Sequence, residues 1–379
     1  MKTIAIVSFS DMRTDSRIKR YINYLIKDNN ILLIANNVFE FRNKNNITAI
    51  DLSYYGGRKN KSIIDFITYQ LILKWRLYKL LKLHKPDFVH ANDFETLLPS
   101  YLAFINKKNK IIYDSHELWS ERVGSKRNVF HIIINKIELV AEKCISRRIS
   151  KIITVSDSIA DYMSNAFKIE RPVVIRNIPI KEAFGDVYTK YNRLFNDLKD
   201  SVKLVHIGPI SKDRNTDLFI EAFRRVNDPK LKLILIGKNL LKETISDKNI
   251  FLLDEIPESS INGILKQCDI GVHPLRTSDC LNHEYALPNK IFQYMQAGLA
   301  LFVFKNAETV KIINKYKNGI YCDMSDPTII ESALIQLLKQ NISEMKANSI
   351  SSFSNYYNFD KEMIPYYRFI DNNKYNQQQ

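Results

Sequence analysis

Cysteine is scarce in this 379-residue chain, with four in all. Cys144, Cys268, Cys280 and Cys322 show no Cys-x-x-Cys spacing and no framework pattern, which argues against a disulfide scaffold and for idle or buried thiols in a reducing cytosol. No stretch reaches the roughly 18–20 apolar residues needed to span a bilayer. The opening run, Met1-Lys-Thr-Ile-Ala-Ile-Val-Ser-Phe9, is too short for a signal peptide and breaks at once into the charged segment 11–17, so it reads as a first buried strand. The chain also lacks a repeat of solenoid period and any long low-complexity segment. His131, His206, His273 and His283 show no metal-ligand spacing. The expectation is a soluble, cytoplasmic protein with no metal site.

What is present is the composition of a folded protein, 45% hydrophobic and 11% aromatic. The length exceeds one ordinary core and fits two domains. The net charge of +15 is unevenly spread: residues 1–180 hold 30 Lys and Arg against 17 Asp and Glu, or +13, which leaves +2 for the remainder. Such asymmetry calls for an anionic partner of the N-terminal half, whether a membrane surface, nucleic acid or a phosphate-bearing substrate. Within that half, Lys74-Trp-Arg-Leu-Tyr-Lys-Leu-Leu-Lys-Leu-His-Lys85 places cations at 74, 76, 79, 82 and 85 among leucines and aromatics. At helical spacing this is a cationic amphipathic helix of the kind that lies on anionic lipid. A second cluster runs from Arg122 to Phe130, with Ile132–Ile134 following.

Short β-branched runs alternate with amphipathic helices. Strands are expected at Ile4–Ser8, Ile31–Ala35, Phe88–His90, Lys110–Tyr113 and Ile152–Val155. After a link near Asn177–Pro179 they resume at Val202–Ile207, Leu231–Ile236, Ile250–Leu253, Ile270–Val272 and Leu301–Phe304. Buried continuous strands separated by helices mean parallel sheets, so each half reads as a Rossmann-type α/β domain. In such sheets ligands sit beyond the carboxyl ends of the strands. His90-Ala-Asn-Asp93, Asp114-Ser-His-Glu117, Gly208-Pro209 and Gly237-Lys238 all fall there, which predicts a site in a cleft between two domains.

The run Asn282-His-Glu-Tyr-Ala-Leu-Pro-Asn-Lys-Ile-Phe-Gln-Tyr-Met-Gln-Ala-Gly298 reads as an irregular loop that becomes a short helix, with Pro288 in the first turn and Gly298 just past the end. A helix N-terminus offers backbone N–H groups and partial positive charge to a phosphate, and Lys290 adds a full charge one turn in.

In order and spacing these motifs resemble the family-4 nucleotide-sugar glycosyltransferases of the GT-B fold, the retaining enzymes of bacterial surface-polysaccharide and glycolipid assembly. The resemblance covers nearly the whole chain. It rests on Asp15-Ser-Arg17, His90-Ala-Asn-Asp93, Tyr113-Asp-Ser-His-Glu117, Ile153-Thr-Val-Ser156 and Val174-Ile-Arg-Asn177. In the second half it rests on His206-Ile-Gly208 with Arg214, Cys268-Asp-Ile-Gly-Val-His-Pro274 and Ala286–Gly298. It implies an acceptor-binding, membrane-facing domain over 1–178, a nucleotide-sugar domain over 179–355, and a last helix, about 356–372, that crosses back onto the first domain. It further implies that Gly208, Arg214, Asn289 and Lys290 bind the donor phosphates and that Tyr285, Pro288 and Gln293 meet the donor sugar or ribose. His90, Asp93, His116 and Glu117 become the catalytic candidates, and Arg17 binds acceptor or phosphate.

The chain departs from the family in five places, one of them an N-terminal loop that lacks the Gly-Gly pair common in relatives. Gln293 and Tyr285 stand where the family usually places Glu, Pro209 stands at the place of the usual phosphate-binding Arg, and Asn215 at that of the Lys. A Gln amide can accept from one ribose hydroxyl and donate to another, but it forfeits the charge-assisted bond.

With no Asp-x-Asp motif, cations in place of a metal would meet the charge that grows on the leaving diphosphate. In a front-face reaction that phosphate itself takes the acceptor proton. The partners expected are a UDP- or GDP-linked sugar as substrate, a lipid-linked or saccharide acceptor and an anionic membrane surface, with no cofactor and no nucleic acid. The expected place is peripheral, on the inner face of the cytoplasmic membrane. Two other classes fit some of the features: a non-catalytic GT-B subunit that binds a partner transferase or glycan, and a sugar-nucleotide epimerase with a different order of acid/base motifs.

Overall fold

The computed structural model describes residues 1–53, 63–119, 129–180, 189–275 and 280–371, which divide into two compact units. Unit 1 comprises Met1–Ile175 with Glu362–Gln379, and unit 2 comprises Arg176–Lys361. The second cationic cluster, 122–130, lies outside the residues whose side chains are described, as does His131.

Unit 1 is built from β1 (Lys2–Asp11), α1 (Ser16–Leu25), β2 (Asn29–Asn36), β3 (Ile47–Asp51), α2 (Ile63–His84), β4 (Phe88–Asn92), α3 (Asp93–Ala103), β5 (Ile111–Ser115), α4 (Val129–Ser146), β6 (Ile152–Thr154), α5 (Asp157–Phe167) and β7 (Val173–Val174). The strands pair in parallel in the order β3-β2-β1-β4-β5-β6-β7, with Ile4 opposite both Ile31 and Phe88. Ile4, Ala5, Ile6 and Val7 are all buried, as a strand covered on both faces requires. Because parallel crossovers are right-handed, α1 lies on one face of the sheet, while α2 to α5, which step the other way, lie on the opposite face. On that face α3 packs against both α2 and α4.

Unit 2 repeats the plan with α6 (Asn192–Asp197), β8 (Val202–Ile207), α7 (Thr216–Val226), β9 (Leu231–Ile236), β10 (Ile250–Leu253), α8 (Glu258–Leu265), β11 (Ile270–His273), α9 (Leu281–Tyr285), α10 (Asn289–Ala297), β12 (Ala300–Phe304), α11 (Ala307–Tyr316), β13 (Gly319–Cys322), α12 (Pro327–Leu338) and α13 (Ile342–Tyr356). Its six parallel strands run β10-β9-β8-β11-β12-β13. In each sheet the chain steps outward from a first strand and then returns to that strand's other side. The reversal falls between β1 and β4 in unit 1 and between β8 and β11 in unit 2. The crevice at such a switch point is where open α/β sheets take ligands.

The last helix, α14 (Phe359–Ile370), has most of its length in unit 1, where Met363, Tyr366 and Ile370 are buried. Lys2 and Lys151 donate to its terminal carbonyls at Ile370 and Phe369, so two cations satisfy the negative end of the helix. Tyr367 Oη donates to Asp28 at 3.2 Å, and Tyr366 Oη meets His90 Nδ1 at 2.8 Å. Substituting Tyr366→Phe removes one buried hydrogen bond and leaves the His90 ring nitrogen without it. The expected cost is about 1 kcal/mol, read as a drop in the thermal midpoint of about 2–4 °C. Tyr366→Ala, which also leaves a cavity, is expected to cost about 3–5 kcal/mol.

Candidate active site

The switch point of unit 2 collects the groups that can hold an anion. β8 ends at Ile207 and leads into Gly208, whose φ of 114° suits only glycine. A Cβ on Gly208 would stand 2.3 Å from Lys290 Nζ, so the missing side chain is what lets the ammonium come down on the backbone. Lys290 is the second residue of α10. The helix ends at Gly298 in the left-handed conformation, as the sequence predicts, whereas Pro288 is the N-cap in extended conformation and not a residue of the first turn. Pro288 supplies no side-chain acceptor to the first-turn N–H groups, which keeps that end suited to an anion. The segment before it is not irregular: α9 forms a helical turn over Leu281–Tyr285.

Burial pulls the Lys290 ammonium down to about 7, and the nearby Arg214 adds to the fall. Two buried imidazoles lie near enough to feel its charge. His206 is buried at the end of β8 and its Nδ1 meets the Val272 carbonyl at 3.2 Å. His273, buried at the end of β11, stacks on His206 with ring centroids 6.2 Å apart, and neither of its ring nitrogens finds a partner among the described residues. Burial first, then Lys290, holds His206 down to about 3 and His273 well below the usual imidazole range, so both are neutral. The arrangement offers an anion one half-buried cation, the unpartnered neutral ring of His273, helix-terminal amides and the exposed Arg214.

Three tethers hold this seat. Tyr294 Oη donates to the Val272 carbonyl at 3.0 Å and accepts from the Ile207 N–H at 3.2 Å, which pins α10 to the ends of both switch-point strands. Asn306 Nδ2 donates to the carbonyls of His283 (3.0 Å) and Ala286 (2.8 Å), fixing the 281–288 segment. Its Oδ1 meanwhile caps α11 in a capping box with Thr309. Asn215, at the place of the usual family Lys, is buried and donates to the Met324 carbonyl at 2.8 Å, so its role is structural. The sequence places His206, His273 and Tyr294 inside the family motifs but gives them no role, and Asn306 carries only a local signal, the Asn-x-x-Thr spacing before a helix. Gln293 lies half-buried on α10, one turn after Asn289. Tyr285 and Glu284 are half-buried in α9, and burial raises the Glu284 carboxyl above its usual range.

Unit 1 gathers its polar groups around one carboxylate. Asp114, buried at the end of β5, takes a bidentate pair from Arg17 (Nη2 at 2.7 Å and Nε at 3.2 Å). It also meets His90 Nε2 at 3.2 Å and His116 Nε2 at 3.3 Å. Burial works to raise the Asp114 carboxyl, but Arg17 and His116 outweigh it and hold it well below the carboxylate range. Arg17 was expected to offer a cation to acceptor or phosphate; instead its guanidinium is spent on Asp114, the Ile175 carbonyl and Tyr21 Oη. His90 is likewise redirected. It is wholly buried and held neutral by that burial, with Nε2–H donated to Asp114 and Nδ1 accepting from Tyr366, which makes it a positioning group.

That leaves His116 and Asp93 as the accessible pair. His116 Nδ1 lies 3.5 Å from Asp93 Oδ2, and both side chains are partly exposed. Burial lowers the His116 imidazole, but Asp93 and Asp114 outweigh it and hold it above its usual range. Asp93 sits at φ 60° where β4 turns into α3, a costly conformation for a non-glycine residue and one found at functional sites. Glu117 is exposed, and its backbone carbonyl accepts from Ser115 Oγ.

Two parallel α/β units, each with a polar cluster at its switch point, are the architecture of the GT-B fold. Residues 41–178 match the family described as Glycosyltransferase Family 4, and residues 201–340 that described as Glycosyl transferases group 1. The chain belongs to the glycosyltransferases of the GT-B fold. Among solved structures it is similar to sucrose-phosphate synthase from Thermosynechococcus elongatus, with a TM-score of 0.76 at 11% identity over 98% of each chain. It is also similar to Anabaena HepE in complex with UDP, with a TM-score of 0.72 at 12% identity over 98% of this chain and 99% of that one. A third is the E. coli trehalose-6-phosphate protein bound with UDP-2-fluoro glucose, with a TM-score of 0.70 at 12% identity over 97% of this chain and 99% of that one. No curated protein sequence matches it.

Two outcomes follow from these clusters. Asp114→Asn strands the buried Arg17 charge and is expected to cost about 3–5 kcal/mol in chemical denaturation. Lys290→Met removes a partly desolvated charge and is expected to stabilise the protein by about 0.5–2 kcal/mol in chemical denaturation. The sign follows from linkage. The folded-state value near 7 lies below the ordinary 10.5, so the Lys290 contribution to stability improves as pH rises across that window and is least favourable below it.

Proposed function

We propose that the protein is a retaining, metal-independent transferase that moves a hexosyl or N-acetylhexosaminyl group from a nucleoside diphosphate sugar to a lipid-linked or glycan acceptor. The observation that carries this reading is the Lys290 ammonium lying on the Gly208 backbone at the switch point of unit 2, near two neutral buried imidazoles. A diphosphate supplies the counter-charge this ammonium lacks. The C1–O bond to the β-phosphate breaks, and the charge it leaves is met by Lys290, the α10 amides and Arg214. The acceptor oxygen bonds C1 on the same face and its proton passes to the departing phosphate oxygen. His116 and Asp93 orient a sugar hydroxyl in unit 1. Similarity to HepE, whose solved structures include complexes with UDP-glucose and with UDP and glucose, favours a uridine donor over a guanosine one. The acceptor class, a place in surface-polysaccharide or glycolipid assembly and a cytoplasmic site at the inner membrane face are part of this proposal.

Gln293 favours a second reading, a non-catalytic subunit that binds a partner transferase or glycan, because the carboxylate that usually reads the ribose is absent. A panel of UDP- and GDP-sugars, assayed for transfer and for hydrolysis, separates the two. The transferase reading expects turnover with at least one UDP-sugar, at least 100-fold slower in Lys290→Met, and turnover with none of them overturns it.

Bound diphosphate favours the charged lysine, so binding takes up a proton wherever the free lysine is neutral. UDP affinity is therefore expected to fall as pH rises above about 7, by up to tenfold per pH unit. The measurement belongs above pH 6.5, where the terminal phosphate (second pKa about 6) is ionised. Gln293→Glu places a carboxylate three residues from Lys290 on the same helix. It is expected to flatten that pH dependence by keeping the lysine charged.

A further inference from the structure

The helix layer on the outer face of unit 1 is wrong for water. In α2, Leu73, Leu77 and Leu81 are buried against the sheet, so the opposite stripe should be polar. Instead Leu71 is 61% exposed, Ile72 49% and Trp75 59%, and the stripe then continues with Lys79 and Lys82. Lys79 Nζ sits 3.7 Å from the centroid of the Trp75 ring, so the cation borders the apolar patch directly. The neighbouring α3 repeats the pattern, exposing Leu98 and Leu102 four residues apart, with Ile105 exposed in the turn that follows, before Lys107 and Lys108. So does α4, with Ile137 and Val140 more than half exposed and Arg147 and Arg148 at its end. Three adjacent helices run the same way on one face, each apolar outward along its length and cationic at or beyond its C-terminus.

The acids of this layer are arranged to match. No Asp or Glu occurs from Phe66 to Pro86 or from Thr96 to Lys110. In α4, Glu142 is buried and accepts from Tyr113 Oη at 2.6 Å, and Glu138 accepts from Trp119 Nε1 at 2.9 Å. Cations face out while the acids of α4 are held by aromatic donors.

We infer that the outer face formed by α2, α3 and α4 is a docking surface for an anionic phospholipid bilayer, with Trp75 and its leucine neighbours entering the interface and the lysines contacting the headgroups. Charge complementarity selects this occupant over a second copy of the chain, because an isologous dimer through this face would set like charges against each other. The inference deepens the proposed function and rests on it only for placing the acceptor at a membrane.

Cosedimentation of the full-length protein, without donor or acceptor, with phosphatidylglycerol-containing and pure phosphatidylcholine vesicles tests the surface independently of turnover. The expected result is binding to the anionic vesicles that is at least tenfold tighter than to the neutral ones and is lost in high salt. The pair Lys79→Glu and Lys82→Glu should weaken it about fivefold or more per residue. Leu71→Glu with Trp75→Glu should weaken it tenfold or more, and the charge-matched unit 2 pair Lys230→Glu and Lys248→Glu should leave it nearly unchanged. UDP affinity checks that each variant is folded, and quenching of tryptophan emission by brominated lipid reads insertion in the unmodified protein should a variant fail to fold. The inference is overturned by absence of binding to anionic vesicles, by an equal loss in the unit 2 pair, by absence of quenching, or by a dimer in light scattering that Trp75→Glu dissociates. Loss of vesicle binding with donor turnover intact would sink the surface and leave the transferase standing; the reverse would do the opposite.

Discussion

A half-buried lysine ammonium with no counter-ion among the described residues is the contact on which unit 2 is arranged. Among the described residues no carboxylate pairs with Lys290; burial and Arg214 both act against its charge. Solvation alone would never leave it there. It stays because the groups around it leave no other arrangement. Gly208 has no side chain to keep it off, Tyr294 bolts its helix to β8 and β11, and Asn306 holds the segment that feeds into that helix. The same low-polarity surroundings keep His206 and His273 neutral, so they act as hydrogen-bonding groups without adding to the repulsion. This is a local conflict among groups that otherwise agree, and such conflicts concentrate where a protein works.

Unit 1 solves the opposite problem on the same kind of scaffold. Its buried charge, Asp114, is oversupplied with partners: Arg17 through two nitrogens, His90, and His116. Tyr366 of the last helix completes the set through His90, which makes α14 part of the polar core and not merely a cover over it. A satisfied network of this kind rigidifies what it contains. Among the described residues of this network, His116 and Asp93 emerge toward solvent, each beside a charged partner. One unit therefore carries an unmet charge and the other a met one.

The sequence made the strands of unit 2 legible because continuous β-branched runs have few other uses. Val202–Ile207, Leu231–Ile236 and Ile250–Leu253 are read to the residue. It concealed β3, β7 and β13 for the complementary reason. Ile47-Thr-Ala-Ile-Asp51 is a half-exposed edge strand, Val173–Val174 is two residues long, and Gly319-Ile-Tyr-Cys322 opens on a glycine. In the site, Lys290 and Gly298 were visible because helix caps are local. The fate of Arg17 was not, because its partner lies 97 residues along the chain. The pairing of His206 and His273 escaped for the same reason: they meet only because β8 and β11, not consecutive in sequence, are neighbours in the sheet. Pairing across a switch point is a property of the topology, and residue spacing cannot display it.

Gln293 gains a physical meaning from this. Positions three apart on a helix are neighbours, so a glutamate there would stand beside Lys290 and hold it charged. The amide provides no such support, and an ammonium drawn down to about 7 is consistent with that. The substitution is then more than a weaker grip on a ribose. On the proposed donor reading it couples the charge of the site to its occupancy, since a diphosphate would be the counter-ion that the helix lacks. Under the proposed function, such a site would bind its donor with proton uptake and hold the leaving diphosphate best when the pocket is dry. The same electrostatics that raise the cost of the empty site favour the charge developing within it.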